Sequence, residues 1–232
     1  MRNLKEFILL VVLFVTGSAF AEDGMYVSLG AGLGKLSKAK SNQDFPLILK
    51  SPGFFATSVT EMTLTFKNAI RINGAIGYKT GDFRVEIEPS YLKARYKKFD
   101  QKPYFLIGAD NLSGHICALS GFMNGYYDFP ASDTIVPYVG AGLGYTHIKN
   151  HLEHAGLVNF NAAGPGVNLP TLKFNMSDNS LAYQAIAGVM VNLTKQFALT
   201  VDYRFSSTTK KMLALDSKLK SQAATLGLMY KF

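Results

Sequence analysis

The chain has 232 residues, of which 48% are hydrophobic and 17% are charged, and its formal net charge is +8. Its one cysteine excludes an intrachain disulfide framework, and no linker rich in Pro and Ser divides the chain, so we expect one folded domain without disulfides. These values suit a soluble β-sandwich and a membrane barrel equally well, so the pattern along the chain has to distinguish them.

The first 21 residues have the pattern of a secretory signal peptide. Arg2 and Lys5 precede the apolar run FILLVVLFV, and AFA at residues 19–21 supplies the small residues of a cleavage site. We therefore expect export, with residues 1–21 removed and the mature domain covering residues 22–232. No later stretch approaches the roughly 20 continuous apolar residues of a transmembrane helix.

Alternation of apolar and polar residues with a period of two predicts eight strands after the signal peptide. They cover roughly residues 25–34, 68–79, 83–95, 115–128, 135–147, 181–193, 197–206 and 221–232. The short connections are 80–82, 129–134 and 194–196, and the long ones are about 35–67, 96–114, 148–180 and 207–220. Because long and short connections alternate strictly, the pattern predicts an all-β fold, an eight-stranded antiparallel transmembrane barrel with short periplasmic turns and four long external loops.

Glycine recurs at every second position in VPYVGAGLGYTHI, residues 136–148, and in the near copy YVSLGAGLGKL, residues 26–36. A phosphate-binding loop is excluded, because Lys followed by Ser or Thr at the required spacing is missing from both. The pattern instead predicts strands whose glycines leave room on the lumen face of a narrow barrel. These lumen glycines are Gly30, Gly32, Gly140 and Gly142.

The charged residues of the predicted strands share one face. In residues 83–88 the apolar side chains take the odd positions and the charged ones the even positions. A charge facing lipid would cost about 2–4 kcal/mol at the membrane midplane, so we expect the charged face to line the lumen. In a narrow barrel opposite charges should pair, and we predict an ion-pair network that fills the lumen in preference to a continuous water path. Its predicted members are Arg71, Arg84, Glu86, Glu88, Asp202, Arg204 and Lys231.

The strands MYVSLGAGLG and PYVGAGLGY, together with a last strand that ends in Phe232, resemble the outer-membrane β-barrel superfamily. This superfamily includes the OmpA-like and opacity-protein-like barrels and the surface antigens of intracellular bacteria. The resemblance covers all eight predicted strands and implies an up-and-down barrel in a bacterial outer membrane, in contact with lipid and lipopolysaccharide. It also implies that Tyr230 and Phe232 form the signal read by the barrel-assembly machinery. Members serve as adhesins, antigens, membrane-stabilising proteins or narrow pores, so the fold leaves the function open.

Three of the four predicted external loops carry a net positive charge. A basic rim attracts anionic polymers over a long range, and these include host-surface glycans and the phosphates of the bacterium's own lipopolysaccharide. Nucleic acid is a poor candidate for a partner, because an exported protein leaves the compartment in which nucleic-acid-binding proteins usually act. The residues expected to make these contacts are Lys93, Lys97, Lys98, Lys210 and Lys211.

The predicted loop 148–180 begins within THIKNHLEHAGL, which contains His147, His151 and His154. Their spacing of four and then three would bring the rings to one side of a helical turn, where zinc or nickel can bind. Without the HExxH order, surface histidines are the preferred interpretation, and we predict no metal and no cofactor. No Ser, His and carboxylate arrangement of a hydrolase is evident either, so we predict no enzymatic activity.

These patterns together predict a surface antigen or adhesin that contacts host or envelope polyanions through basic external loops. Two alternatives stay open on the sequence. One is a small pore for ions or small apolar solutes, and the other is a purely structural protein of the outer membrane.

Overall fold

The computed structural model describes residues 23–41, 45–46, 58–59, 61–102, 112–158, 167–211 and 217–232, so the predicted signal peptide lies outside the described residues. Eight long strands run through them: β1 (Gly24–Leu36), β2 (Glu61–Thr80), β3 (Phe83–Lys102), β4 (Leu112–Asp128), β5 (Ile135–Val158), β6 (Val167–Asn192), β7 (Phe197–Thr208) and β8 (Lys220–Lys231). Three short segments lie between β1 and β2, at Ala39–Ser41, Phe45–Pro46 and Ser58–Val59. None of the described residues belongs to a helix that is long and apolar enough to cross a membrane.

Antiparallel pairing closes the eight strands into a barrel. Each strand pairs with the next one along the chain, and β1 pairs with both β2 and β8, so that Gly30 faces Asn73 on one side and Gly227 on the other. The amide of Phe232 donates to the carbonyl of Met25 at 3.1 Å and extends this seam. The predicted all-β fold, an eight-stranded antiparallel up-and-down barrel, is confirmed.

The barrel has two different ends. The three short connections lie at one end together with Asp23 and Phe232, and we call it the turn end; the other is the loop end. Over the half nearer the turn end, the outer wall is apolar, and Leu29 and Leu143 are each 73% exposed. The inner wall there holds charged side chains such as Arg71 and Glu88, which are buried. This is the reverse of a water-soluble barrel and suits a wall that faces lipid.

Aromatic rings on the outer wall mark both limits of the apolar band. The turn-end girdle consists of Tyr78, Phe83, Tyr127, Phe197 and Tyr230, and the loop-end girdle consists of Tyr91, Tyr145, Tyr183 and Phe205. Along β3 the band runs from Phe83 to Tyr91, which agrees with the roughly 9–11 residues of a tilted transmembrane strand. Aromatic girdles at both membrane interfaces are typical of barrels in the outer membrane.

Beyond the loop-end girdle the polarity of the wall reverses. On β3 the inward side chains become apolar and buried, whereas the outward ones become charged and exposed. The inward set is Leu92, Ala94 and Tyr96, and the outward set is Lys93, Arg95 and Lys97. The inward residues join a buried apolar cluster with Phe66 and Ile116. This upper part of the barrel therefore has the polarity of a soluble protein, with water outside and a hydrophobic core inside.

The predicted extent of the long loops is wrong, because the strands continue far past the girdle. Much of the predicted loop 96–114 belongs to β3 and β4, and much of 148–180 belongs to β5 and β6, whose pairing continues to Val158 and Val167. The predicted strand ends rest on alternation in which the apolar residues face outward. Above the girdle the apolar residues face inward instead, so the strands continue where that pattern ends.

The wall is also uneven in height. β5 and β6 have 24 and 26 residues, whereas β7 and β8 have 12 each. The pairing of β6 with β7 ends at Ala182, while β6 continues along β5 from Ser180 to Val167. Among the described residues, no strand pairs with the other edge of this upper part of β6.

Glycines on the inner face make room for the side chains of neighbouring strands. A Cβ atom at Gly140 would collide with the ring of Tyr126, and one at Gly142 would collide with the amide of Asn124. The alternating glycines thus serve the packing of the lumen.

Depth in the membrane should decide the cost of a charge on the outer wall. Leu29 lies midway between Met25 and Leu33 on the lipid face of β1. We expect Leu29→Lys to lower the free energy of unfolding by about 2–4 kcal/mol, measured by denaturant titration in lipid vesicles, because the charge lies near the midplane. The control Leu33→Lys, near the loop-end girdle, should cost about 0–1 kcal/mol. Equal losses in the two variants would contradict this placement of the membrane.

Candidate functional site

Buried charges cross the lumen, and Glu88 lies at their centre. Its side chain is 0% exposed. One carboxylate oxygen accepts from Nη2 of Arg71 at 2.9 Å, and the other accepts from Nη1 of Arg204. The amide of Asn124 also donates to this carboxylate, at 3.2 Å. Burial of a carboxylate is tolerated here because two cations and an amide compensate for the water it loses.

Arg204 extends the network from Glu88 to Asp202. Its Nε donates to Oδ1 of Asp202 at 2.6 Å, and the hydroxyl of Thr225 donates to the same carboxylate. The hydroxyl of Tyr138 donates to Oδ2 at 2.9 Å. These contacts join side chains from β3, β5, β7 and β8 across the inside of the barrel.

Arg84 organises a second group nearer the turn end. Its Nε contacts the two carboxylate oxygens of Asp128 at 2.9 and 3.0 Å, and Nη1 lies 3.6 Å from Glu86. The hydroxyl of Tyr26 donates to Glu86 at 2.7 Å. The guanidinium also lies over the ring of Tyr126, 4.6 Å from its centroid, a cation–π arrangement.

Lys231 lies at the turn end, away from these two groups. Its Nζ donates to Oδ1 of Asn192 at 2.8 Å, whereas Lys79, at the same mouth, lies 3.8 Å from Asp128. The other six residues predicted for the lumen network all contact at least one charged partner within it.

Sequence reasoning missed one carboxylate and the neutral and aromatic partners that complete the network. Asp128, Tyr26, Asn124 and Gln184 all have hydrogen bonds to the predicted charged residues or to one another. Each occupies the inward phase of its strand, so the parity of the strand contained the signal. The predicted network contained only charged side chains, so it omitted Tyr26, Asn124 and Gln184. Asp128 was missed because it is the last residue of β4.

The lumen between the two ends is almost filled. One cavity beside Arg84 and Asp202 has a volume of about 20 Å³, and another beside Arg71 and Ser90 has about 30 Å³. Each is large enough for one or two water molecules. A wider cavity of about 1100 Å³ opens at the turn end beside Lys79 and Lys231. The side chains of the network therefore separate this vestibule from the loop end.

The predicted basic contacts fall on two opposite sides of the barrel. Lys93 and Lys97 are exposed on the outer face of β3, and Lys210 and Lys211 are exposed after β7. The side chain of Lys98 lies outside the described residues. Because β3 and β7 are separated by three strands in either direction around the barrel, the five lysines do not form one patch.

The predicted loop histidines lie in strand β5, so the premise of a helical turn is wrong. His147 and His151 project from the same face of β5, where their Nδ1 atoms contact Asn179 and Asn175, and the side chain of His154 lies outside the described residues. The ring of His151 lies 5.4 Å from that of His115 on β4. Among the described residues, no group of three or more His, Cys, Asp or Glu side chains is arranged to hold a metal ion.

The last residues of the chain pack at the turn end. The ring of Tyr230 lies 5.1 Å from that of Phe232 and 5.1 Å from that of Phe197. These rings occupy the turn-end interface, and the role of Tyr230 and Phe232 in assembly stays a prediction.

Comparison with known proteins supports the architecture. The family model described as outer membrane protein beta-barrel domain matches residues 7–232. The chain is 22% identical over 206 residues to opacity protein opA67 of Neisseria gonorrhoeae, an alignment that covers 76% of this chain and 85% of that protein. It is 28% identical over 118 residues to opacity protein opA65 of the same organism, covering 46% of this chain and about half, 49%, of the relative.

Two solved structures have a similar fold. The crystal structure of neisserial surface protein A is 18% identical with a TM-score of 0.51, and the match covers 90% of this chain and 97% of that one. The outer membrane protein OprG from Pseudomonas aeruginosa is 16% identical with a TM-score of 0.54, covering 91% and 97%. At these identities the likeness concerns the fold alone.

Removing the charge of Glu88 should be costly. We expect Glu88→Gln to lower the free energy of unfolding by about 3–5 kcal/mol, because Arg71 and Arg204 then lose a buried counter-charge. The double variant Arg71→Gln with Glu88→Gln should recover part of that loss, and the coupling is measured by a double-mutant cycle in vesicles. A loss of unfolding free energy below about 1 kcal/mol in Glu88→Gln would show that Glu88 and its two arginine partners are hydrated.

A filled lumen should not conduct. We expect no discrete current steps from the folded protein in planar bilayers, since eight strands enclose little space beyond the side chains. The variant Arg71→Ala with Glu88→Ala should yield steps if the network is the barrier. Regular steps from the unaltered protein would refute the filled lumen and favour the pore.

Proposed function

Because this chain belongs to the outer membrane protein β-barrel family, we propose that it is a surface protein of the bacterial outer membrane that acts as an antigen or adhesin. In this proposal the cations at the loop end contact polyanions of the host surface or of the envelope. The observation that supports it most directly is the exposure of Lys97, Lys210 and Lys211 beyond the loop-end girdle. Such side chains attract anionic polymers without a preformed pocket.

The distribution of these lysines favours an extended ligand. They lie on opposite sides of the barrel, so a single small anion cannot contact both groups at once. A sulfated or acidic polysaccharide is long enough to span the mouth, and two weak contacts on one chain raise its apparent affinity through effective concentration. An acidic glycan is therefore the proposed host partner.

The pore alternative has less support, since two cavities in the described lumen between its ends measure about 20 and 30 Å³ and the charged network lies between them and the turn end. The structural role needs no ligand and is the outcome that a failure of binding would favour. We further propose that residues 1–21 are cleaved on export and that Tyr230 and Phe232 are recognised by the barrel-assembly machinery. We propose no catalytic activity for this chain.

Adhesion is tested with the refolded barrel in lipid nanodiscs, where both ends are accessible. We expect saturable binding to intact host cells that heparin and high salt abolish, because the attraction is screened by ions. The variant with Lys97, Lys98, Lys210 and Lys211 changed to Gln should bind at least about fivefold more weakly.

A matched pair of variants controls for net charge. Lys210→Gln with Lys211→Gln removes two cations from the loop end, and Lys79→Gln with Lys195→Gln removes two from the turn end. Weakening in the first pair alone is the expected result. Binding that survives the fourfold change at low salt would rule out the basic rim as the contact surface.

A further inference from the structure

The vestibule at the turn end has cations along its inner wall. Lys79 on β2 is in register with Gly24 on β1, and Lys231 on β8 is in register with Tyr26 on the same strand. Both lysines occupy the inward phase of their strands and line the cavity of about 1100 Å³. They are two strand spacings apart, about 10 Å measured across the strands, and Gly24 has no side chain to fill the space between them.

These cations have more hydrogen-bond donors than the described protein atoms use. The ammonium of Lys231 has three donors, and its partner among the described residues is the neutral side chain of Asn192. No carboxylate of the described residues lies within 4.0 Å of Lys231, whereas Lys79 lies 3.8 Å from Asp128. Asp128 already accepts from Nε of Arg84 through both its oxygens, and Nη2 of Arg84 has no hydrogen-bond partner in the described part of the chain. The inner wall therefore offers unused N–H donors to an anion that enters.

The charges at the outer rim of the vestibule are mostly of the opposite sign. Asp82 and Asp133 are exposed in the turns after β2 and β4, and the carboxylate of Asp23 accepts from the amide of Gly81 at 2.6 Å. All three aspartates line the vestibule, and Lys195 is a cation at the same rim. The vestibule is therefore rich in cations at its inner end and in carboxylates at its rim.

From this separation of charge we propose that the vestibule binds a short peptide through its free C-terminal carboxylate. The carboxylate enters first and lies between Lys79 and Lys231, which donate charge-assisted hydrogen bonds to it. The amino terminus of the same peptide then lies beside Asp82 and Asp133. An anion without an ammonium group is attracted by the inner cations but repelled at the rim, so the two layers of charge favour a zwitterion in this orientation. The site goes beyond the proposed adhesin function and does not depend on it.

The two layers of charge are too far apart for a single amino acid to contact both. Lys231 lies opposite Tyr26, which lies opposite Gly77 on β2, and the turn begins after Thr80. The strand from Gly77 to Thr80 thus separates the level of Lys231 from the turn, a rise of roughly 10 Å. An extended chain of about three residues spans the same distance. A tripeptide is therefore the shortest peptide that we expect to contact both layers.

Binding is tested by titrating trialanine into the full refolded chain in lipid nanodiscs, with the methionine methyl groups labelled for NMR. Met190 and Met229 line the vestibule, whereas Met123 is 68% exposed on the outer wall. We expect saturable shifts of the first two signals and no shift of the third. Trialanine amide, which lacks the carboxylate, should bind at least about 10-fold more weakly, because the charge-assisted hydrogen bonds are lost. Equal binding of the amide, or no saturable shift at Met190 and Met229, would overturn the site.

A matched pair of double variants locates the contact on the protein. Lys79→Gln with Lys231→Gln should weaken trialanine binding at least about 10-fold. Lys35→Gln with Lys220→Gln removes the same charge from exposed positions at the loop end and should change the affinity by less than about twofold. Equal losses in the two pairs, or full binding by the first pair, would overturn the site. The comparison with trialanine amide uses the unaltered protein, so it decides the outcome even where the first pair folds poorly.

The rim gives a readout that distinguishes a zwitterion from an anion. N-acetyl trialanine lacks the ammonium and should bind the unaltered protein about threefold more weakly than trialanine. Asp82→Asn with Asp133→Asn should weaken trialanine by a similar factor and leave N-acetyl trialanine unchanged, a coupling measured as a double-mutant cycle. Tighter binding of N-acetyl trialanine than of trialanine would refute the proposed orientation. Host-cell adhesion is unaffected by these outcomes, because its test changes lysines at the loop end.

Discussion

The absence of water around the part of the wall between the two aromatic girdles is the constraint on which the structure depends. A backbone amide or carbonyl that faces hydrocarbon has to find its partner within the protein, and a closed sheet satisfies every strand through its two neighbours. The pairing of β1 with both β2 and β8 supplies that closure. Once the outside must be apolar, the polar residues of each strand have to point inward, and the narrow lumen brings Arg71, Glu88 and Arg204 into direct contact.

The interior is therefore layered along the barrel axis. An apolar cluster that includes Tyr126, Tyr138 and Met190 lies nearer the turn end, and another that includes Leu92, Phe66 and Ile116 lies beyond the loop-end girdle. The charges around Glu88 lie between them, with little access to solvent. This order arises because the outer wall faces lipid on one side of Tyr91 and water on the other. The same strand therefore has an apolar outer face below Tyr91 and a charged outer face above it.

Much of this arrangement follows from strand parity alone. The number of strands, the direction of the charged face and the inward position of the glycines could all be predicted from a period of two. The extent of the strands could not, since residues 92–97 alternate in the opposite phase and resemble a charged loop. The pairing of Glu88 with both Arg71 and Arg204 also escaped prediction, because the shear of the barrel decides which inward residues meet. Lys93 and Lys210 lie on opposite sides of the barrel because the closed strand order puts three strands between β3 and β7 in each direction.

The uneven height of the wall has a consequence for the dynamics of the backbone. Between Asn175 and Ser180, β6 has β5 on one side and no described strand on the other. In an antiparallel strand alternate amides point to opposite edges, so every second amide here points away from β5, toward an edge where no described strand accepts from it. Deuterium should therefore replace the hydrogens of this segment in an alternating pattern, fast at one residue and slow at the next, whereas both sets should be slow below Ala182. The segment combines the rigidity of a paired strand with the chemical accessibility of a loop.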